Sequence, residues 1–496
     1  MKEREDEPLS GGRIPTRARR SVRLEAVVVG LLLVFFVKLH VPLLVPGFGE
    51  VDAARMAVDA VAHHEGFGSA TNYRIRTSPL YVRSLSRALD LGLPIRKLPR
   101  LMSWLSLISC AVALAAAYGL FRQLAGSLKA GLATGLLALT PAVWMGANYG
   151  MAHTPALAAL LLATCTFSMA LDEGLTPLAV SIRLALALVF MTAALCLKAD
   201  FVLTGLALPG LAWLRRRPMN RFGLAGLAIV LIALGVQLLY SKSFASGPLP
   251  DSETLVGFAA HWHAKFPFTR KALFDKWVLG SITHSTGPFL FAVALVALAV
   301  HLLSRDGVRL GAWAAMSSLP TMVFWGLILG NSVRHNIPAL APLMLLVASL
   351  SLRITESNVR AVSLVVLFVA TNYVSDTDGS PQGFSGLLAR TNLIQLSHDQ
   401  QEASAGTIEW TERFVKADVK KKAIVAQSVV APAEFAMLAS AEGVYKVTAQ
   451  GDELVLSRGQ EVIQQAQFVY CANWGEAHGV ATRLRHDGYT VWLHDF

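Results

Sequence analysis

Charge is scarce in this chain. Only 16% of its 496 residues are Asp, Glu, Lys or Arg and 54% are hydrophobic, whereas a soluble globular chain carries about 25% charge. With a mean hydropathy of +0.50, that balance excludes an ordinary soluble domain. Cysteine is scarce too: of the four, Cys110, Cys165 and Cys196 lie in apolar runs and Cys471 stands alone near the end. That spacing offers neither a C-x-x-C metal site nor a disulfide framework. From Lys420 onward no Walker, dinucleotide-binding or nucleophile-elbow pattern is found. No repeat of fixed period is visible along the chain, which weighs against transporters built from inverted repeats. The net charge of +11 sits largely in loops beside apolar runs, where topology and anionic lipid account for it better than nucleic acid does.

What the chain has instead is a succession of apolar runs of roughly 15 to 22 residues, long enough to cross a hydrocarbon core. They predict a polytopic α-helical membrane protein, with spans near 24–46, 101–121, 131–147, 154–171, 182–197, 201–214, 222–240, 286–303, 311–330, 337–352 and 359–374, about eleven in all. The arginine-rich stretch 1–23 reads as a cytoplasmic tail ahead of a retained first span. With that end inside, the short loops 122–129, 172–183, 215–221, 304–309 and 353–360 all fall on the cytoplasmic side, and each carries Arg or Lys, as the positive-inside rule asks. The outer side receives the long loops 47–100 and 241–285 and everything after the last span. The domains expected are therefore the tail 1–23, a transmembrane domain 24–375 and an extracytoplasmic α/β domain 376–496. Strand-like runs in the last lie at 423–427, 444–448, 468–471 and 490–494, with helices at 432–442 and 475–487.

Chemistry concentrates in the first outer loop. Val51, Ala54, Val58 and Val61 share one side of a predicted interfacial helix, followed by an amphipathic segment over 80–91. Asp52 falls in the first turn of that helix, with Glu50 beside it; by spacing alone Asp52 reads as a cap before it reads as a catalyst. Arg74 and Arg76 suit bidentate phosphate binding or plain attraction to anionic headgroups. Lys198 and Arg334 sit at outer ends of later spans. Each singly reads as an anchor, but cations from distant parts of the chain on one face point to an anionic ligand. His63 and His64, with Glu65, are adjacent on a helix and so point to different faces, which favours a pH-sensitive surface over a metal site. No cofactor is assigned, and a divalent metal is left open.

In their order these segments resemble the C-type, polyprenyl-phosphate-sugar-using membrane glycosyltransferases, in the branch of the protein O-mannosyltransferases and aminoarabinose transferases. Glu50-Val-Asp52-Ala-Ala-Arg55 is similar to that branch's acidic D-E-x-R-Y motif, Arg76-Thr-Ser-Pro-Leu-Tyr81 to K-P-P-L-Y, and Leu98-Pro-Arg-Leu-Met102 to A-R-L-P. Leu197-Lys198-Ala-Asp200 looks like L-x-K-G-P without its Gly and Pro, and Arg334-His-Asn-Ile-Pro338-Ala-Leu-Ala-Pro342 like R-Y-x-L-P-x-x-P. His153 stands where a second acid is expected. The resemblance spans roughly residues 25 to 350. It implies a transferase at the outer face of a plasma (bacterial inner) membrane, with a polyprenyl-phosphate sugar as donor and a lipid, glycan or protein as acceptor. It further implies Asp52 or Glu50 as base, Arg74, Arg76, Lys198 and Arg334 on the donor phosphate, and Tyr81, His153, Asp200 and His335 around the substrates, with Asp52 and Arg76 facing Lys198 and Arg334 across a cavity. A transporter or lipid flippase, and a non-catalytic accessory subunit, are the alternative readings. Ionisable groups gathered at span ends rather than mid-span disfavour transport.

Overall fold

The computed structural model describes residues 16–44, 47–49, 51–65, 78–244, 284–328, 333–355, 421–426, 446–450, 453–458, 461–471 and 474–494, with single positions and short stretches between them. The first helix, α1, runs Thr16–His40; α2 (Val51–His64) and α3 (Pro79–Asp90) follow in the first loop. The bundle continues with α4 (Leu98–Ala125), α5 (Ser127–Ala138), α6 (Pro141–Gly146), α7 (His153–Ala170) and α8 (Pro177–Leu197). Then come α9 (Val202–Gly205), α10 (Leu208–Leu214), α11 (Leu224–Phe244), α12 (Pro288–Leu303), α13 (Val308–Ile328) and α14 (Ile337–Thr355).

Among the described residues five helices are long and apolar enough to cross a membrane, at Ile95–Ala125, His153–Ala170, Pro177–Leu197, Met219–Ser243 and Arg334–Ile354. The sequence pattern predicts more crossings, and prolines account for two of the differences. The run 131–147 is divided into α5 and α6 at Thr140-Pro141, and the run 201–214 into α9 and α10 ahead of Pro209. Proline lacks the N–H that continues a helix; Thr140, before Pro141, is also turned to extended backbone, whereas Leu208, before Pro209, is already helical and only the missing N–H acts there. In the other direction, α8 starts five residues before the predicted 182, because Thr176 caps it by accepting from the Ala179 N–H at 3.3 Å, with Pro177 opening the first turn. The predicted span 359–374 lies largely outside the described residues.

The long helices differ in what they bury. α14 is central, its residues 337–351 all buried, so it is the axis on which the bundle packs. On α8, Leu178, Ile182, Leu186 and Val189 are exposed at helical spacing. An apolar stripe left open in this way suits hydrocarbon and not water.

The first-loop helices pack on each other. Ala53, Met56, Ala57, Ala60 and Val61 of α2 join Tyr81, Val82, Leu85 and Leu89 of α3 in one core. The buried face of α2 is broader than the predicted stripe, with Val58 only partly buried at its edge, because the small alanines let a second layer approach. That layer is a five-stranded sheet of β1 (Lys422–Ala426), β2 (Lys446–Gln450), β3 (Glu453–Arg458), β4 (Glu461–Tyr470) and β5 (Thr490–His494), in the order β2-β3-β4-β1-β5. β1 runs parallel to β4 and β5, while β2, β3 and β4 form an antiparallel meander. α15 (Trp474–His486) covers one face through Ala477, Ala481 and Leu484. Ile424, Ala466 and Trp492 belong to the core of α2 and α3. Strand β3 and most of β4 lie outside the predicted runs. Of the predicted helix 432–442 only Phe435 is described.

Candidate active site

Asp52 is held by two guanidinium groups. Its Oδ1 accepts from Arg55 Nη1 at 3.1 Å, one turn along α2, and its Oδ2 accepts from Arg334 Nη2. Arg334 lies in a 3-10 turn, Val333–Asn336, that leads into α14 with Pro338 in its first turn. Its side chain is only 11% exposed. Charge-assisted bonds of this kind are about twice as strong as neutral ones, and this one joins residues 282 positions apart. Asp52 and Arg334 are therefore in direct contact, not on opposite walls of a cavity as the sequence pattern predicts. Glu50, Arg74 and Arg76 lie outside the described residues.

Behind Arg334 lies a buried polar cluster. Lys198 closes α8 and pairs with Asp200 at 3.5 Å. The ring of His335 stacks on Trp325 of α13, centroids 3.6 Å apart and planes within 19°, and meets His153 at 5.7 Å. His153 begins α7, and Lys198 is within charge-interaction range of both His153 and His335. Asn336 donates to Ser285 Oγ at 3.3 Å. Both ring nitrogens of His153, Nδ1 of His335, the Asn148 side-chain amide, the Trp325 indole N–H and both Asp200 oxygens are buried with no hydrogen-bond partner among the described residues. Folded proteins leave few such atoms, since each costs about 1–3 kcal/mol. A group of them at one end of a bundle marks a place built to receive polar ligand atoms.

The segment carrying Asn148 and leading to His153 is fixed from three sides. Tyr81 of α3 donates its buried hydroxyl to the Gly150 carbonyl at 2.8 Å, and Ser103 and Ser106 of α4 reach the carbonyls of Asn148 and Met151, each at 3.5 Å. Burial pushes the Tyr81 phenol well above its usual range, so it stays a donor. Gly150 has φ +69, and a Cβ there would meet Met102 Cβ at 3.1 Å. Only glycine suits that turn. The predicted substrate-side role for Tyr81 thus meets a different geometry: its hydroxyl is spent on positioning the loop.

On α2, His63 Nδ1 is 3.0 Å from Ser86 Oγ and His64 Nδ1 is 2.7 Å from Asp90 Oδ1, so the two rings take separate partners on α3. Among the described residues no three His, Cys, Asp or Glu side chains are grouped to hold a metal. Sequence reasoning gave no role to Arg55, Asn148, Trp325 or Asn336, although Arg55 and Asn336 stand inside the motifs quoted above. Arg55 also carried a usable signal in its i,i+3 spacing from Asp52; Asn148 and Trp325 had none, because their place is set by packing.

Neither a protein-family model nor a curated protein matches the chain. Solved structures do match. ArnT from Cupriavidus metallidurans bound to undecaprenyl phosphate aligns with a TM-score of 0.51 at 13% identity, over 83% of this chain and 84% of that one. Its apo state aligns with a TM-score of 0.51 at 14% identity, over 85% of each chain. The oligosaccharyltransferase of Archaeoglobus fulgidus in the apo form aligns at 0.50 and 12% identity, over 83% of this chain and 63% of its own. At such identities the likeness is one of fold alone, shared with ArnT and with the archaeal oligosaccharyltransferase.

Proposed function

We propose that this protein transfers a sugar from a polyprenyl-phosphate-linked donor to an acceptor hydroxyl, carried by a lipid, glycan or protein, at the extracytoplasmic face of a plasma (bacterial inner) membrane. The observation that carries the reading is the Asp52–Arg334 pair beside a buried polar cluster in which several side-chain atoms, among them both ring nitrogens of His153, have no hydrogen-bond partner among the described residues, in a fold shared with a protein solved with undecaprenyl phosphate.

In the resting arrangement Arg334 is engaged by Asp52. A donor phosphate competes for that guanidinium and, with Lys198 and the arginines Arg74 and Arg76, takes it over; this frees the carboxylate to accept the acceptor proton. The acceptor oxygen then bonds to the anomeric carbon as the bond from that carbon to the phosphate oxygen breaks, and the electron pair leaves on the lipid phosphate. The cations stabilise that charge in a site shielded from water. One carboxylate acting only as base gives inversion. His153, His335, Asn148 and Asp200 offer the donors and acceptors that sugar hydroxyls need.

The test incubates the purified full chain with undecaprenyl-phosphate hexoses and pentoses and measures release of undecaprenyl phosphate. Asp52→Asn keeps an oxygen for Arg334 and removes the base, so turnover should fall by about 10²–10⁴ in a protein that remains folded in detergent, although the loss of Arg334's counter-charge lowers its melting temperature. Near-normal turnover in that variant sinks the assignment.

A further inference from the structure

At the other end of the bundle a cavity of about 590 Å³ opens between the end of α4, the start of α5, the segment after α10, the α12–α13 turn and the end of α14. Helix α14 connects the two ends: from Arg334 to Arg353 the helical rise spans about 28 Å, close to the thickness of a hydrocarbon core. The cavity is therefore remote from Asp52 and lies where the opposite membrane boundary falls. Lys129, Arg216, Arg309 and Arg353 line it against a single acid, Asp306.

Positive charge in short loops at one membrane face is expected from topology alone. Three features here go beyond it. First, the charges surround a concavity whose wall includes Ser349, 94% buried (6% exposed), with no hydrogen-bond partner for its hydroxyl among the described residues. One guanidinium nitrogen of Arg309 is likewise buried and unpartnered, its group lying 5.8 Å from the Trp213 ring.

Second, Arg216 has φ 55, the one non-glycine residue in the left-handed region among those described. It follows the end of α10, where Arg216 N–H bonds to the Trp213 carbonyl at 3.1 Å and Arg217 N–H to that of Ala212 at 2.7 Å. That is the helix-ending motif in which glycine is normally chosen. Its neighbours are committed elsewhere, Arg215 to Ser168 and Asp172 and Arg217 to Leu171 and Glu173. Arg216 faces the cavity instead.

Third, the surface beside the cavity is apolar and open: Leu128, Leu302, Leu303 and Val308 are all exposed, Leu303 at 89%. A cationic pocket with a buried hydroxyl donor, beside a greasy rim at the membrane boundary, fits a phosphate headgroup whose acyl chains lie along the helices. We infer that this cavity is a binding site for one anionic phospholipid, held by its phosphate through Arg216, Lys129, Arg309 and Arg353, with Ser349 as an additional donor.

Native mass spectrometry of the full chain in detergent, titrated with phosphatidylglycerol, phosphatidylcholine or inorganic phosphate, tests the inference. Phosphatidylglycerol should be retained as one tight adduct per protein and phosphatidylcholine should not. Inorganic phosphate should fail to displace the adduct at millimolar concentration. Arg216→Gly suits the backbone at that turn, so the variant should keep its melting temperature while its affinity for phosphatidylglycerol falls at least tenfold; Lys129→Gln is the second variant. Equal retention of the two lipids, unchanged affinity in both variants, or displacement by inorganic phosphate, which would mark a free-anion site, each overturns it.

Discussion

Lys198 and Asp200 illustrate how a residue's role has to be separated from its partner's needs. Lys198 is buried and Asp200 partly so, with both carboxylate oxygens out of solvent; the two pair at 3.5 Å, and the Asp200 oxygens lack a hydrogen bond among the described residues. Lys198→Ala alone leaves a buried carboxylate without its cation, a change that costs about 3–5 kcal/mol. Loss of activity in that variant would report folding as much as phosphate binding. Adding Asp200→Asn removes the stranded charge. The double variant should regain most of the melting temperature lost by Lys198→Ala, while KM for a polyprenyl-phosphate sugar stays raised. If the double variant restores both stability and donor KM, Lys198 serves only Asp200. The motif around Lys198 was readable in the sequence. The pairing was less so, since nothing in a K-A-D string says whether the acid turns back to the lysine or outward to solvent.

At the scale of elements, the α2–α3 pair carries a pH response. Burial, together with the Arg83 charge, pulls His63 below its ordinary value of 6.5. The folded protein therefore keeps the ring neutral where the unfolded chain protonates it. By linkage the unfolded state binds more protons in this window, so the contribution is intact above about pH 6.5 and lost as pH falls toward the folded value. Asp90 is also held low, chiefly by its hydrogen bond with His64. Its effect has the same sign but falls below the ordinary carboxylate value of 3.8, well clear of the first. Amide exchange over Val51–His64 and Pro79–Asp90, corrected for intrinsic rates, should therefore quicken between about pH 7.5 and about pH 5.5, and His63→Gln should flatten the change. An unaltered pH dependence in that variant would remove His63 as its cause.

Much at this scale was legible because its causes are local. The two loop helices follow from apolar spacing, and the breaks at Pro141 and Pro209 could have been read from proline chemistry. So could the missed β2–β3 hairpin: only Gly451 and Asp452 separate the paired Gln450 and Glu453, and a two-residue Gly-Asp link is a hairpin signal. The buried polar cluster was not legible. Asn148 and Trp325 become unusual only once tertiary packing has withdrawn them from water.

For the whole molecule, the consequential feature is that the sheet and the first-loop helices share a core. Phe435, 1% exposed, meets Phe48 edge to face at 4.8 Å, and Ile424, Ala466 and Trp492 extend the same core toward Ala53, Ala57 and Val61 of α2. α2 carries Asp52, so residues nearly four hundred positions downstream help fix the carboxylate. Truncating a buried phenyl ring costs about 3–5 kcal/mol, and here the cavity would open beneath α2, not within the membrane bundle. Phe435→Ala should raise amide exchange in Val51–His64 and lower turnover with lipid-linked sugars, leaving exchange in His153–Ala170 and Ile337–Thr355 near wild type. A restoring Phe435→Leu would show that packing volume is the cause, since Leu recovers most of the buried apolar area without the ring. If exchange rises only in the strands while α2 and turnover are untouched, the sheet and α2 are energetically independent, and the shared core serves stability alone.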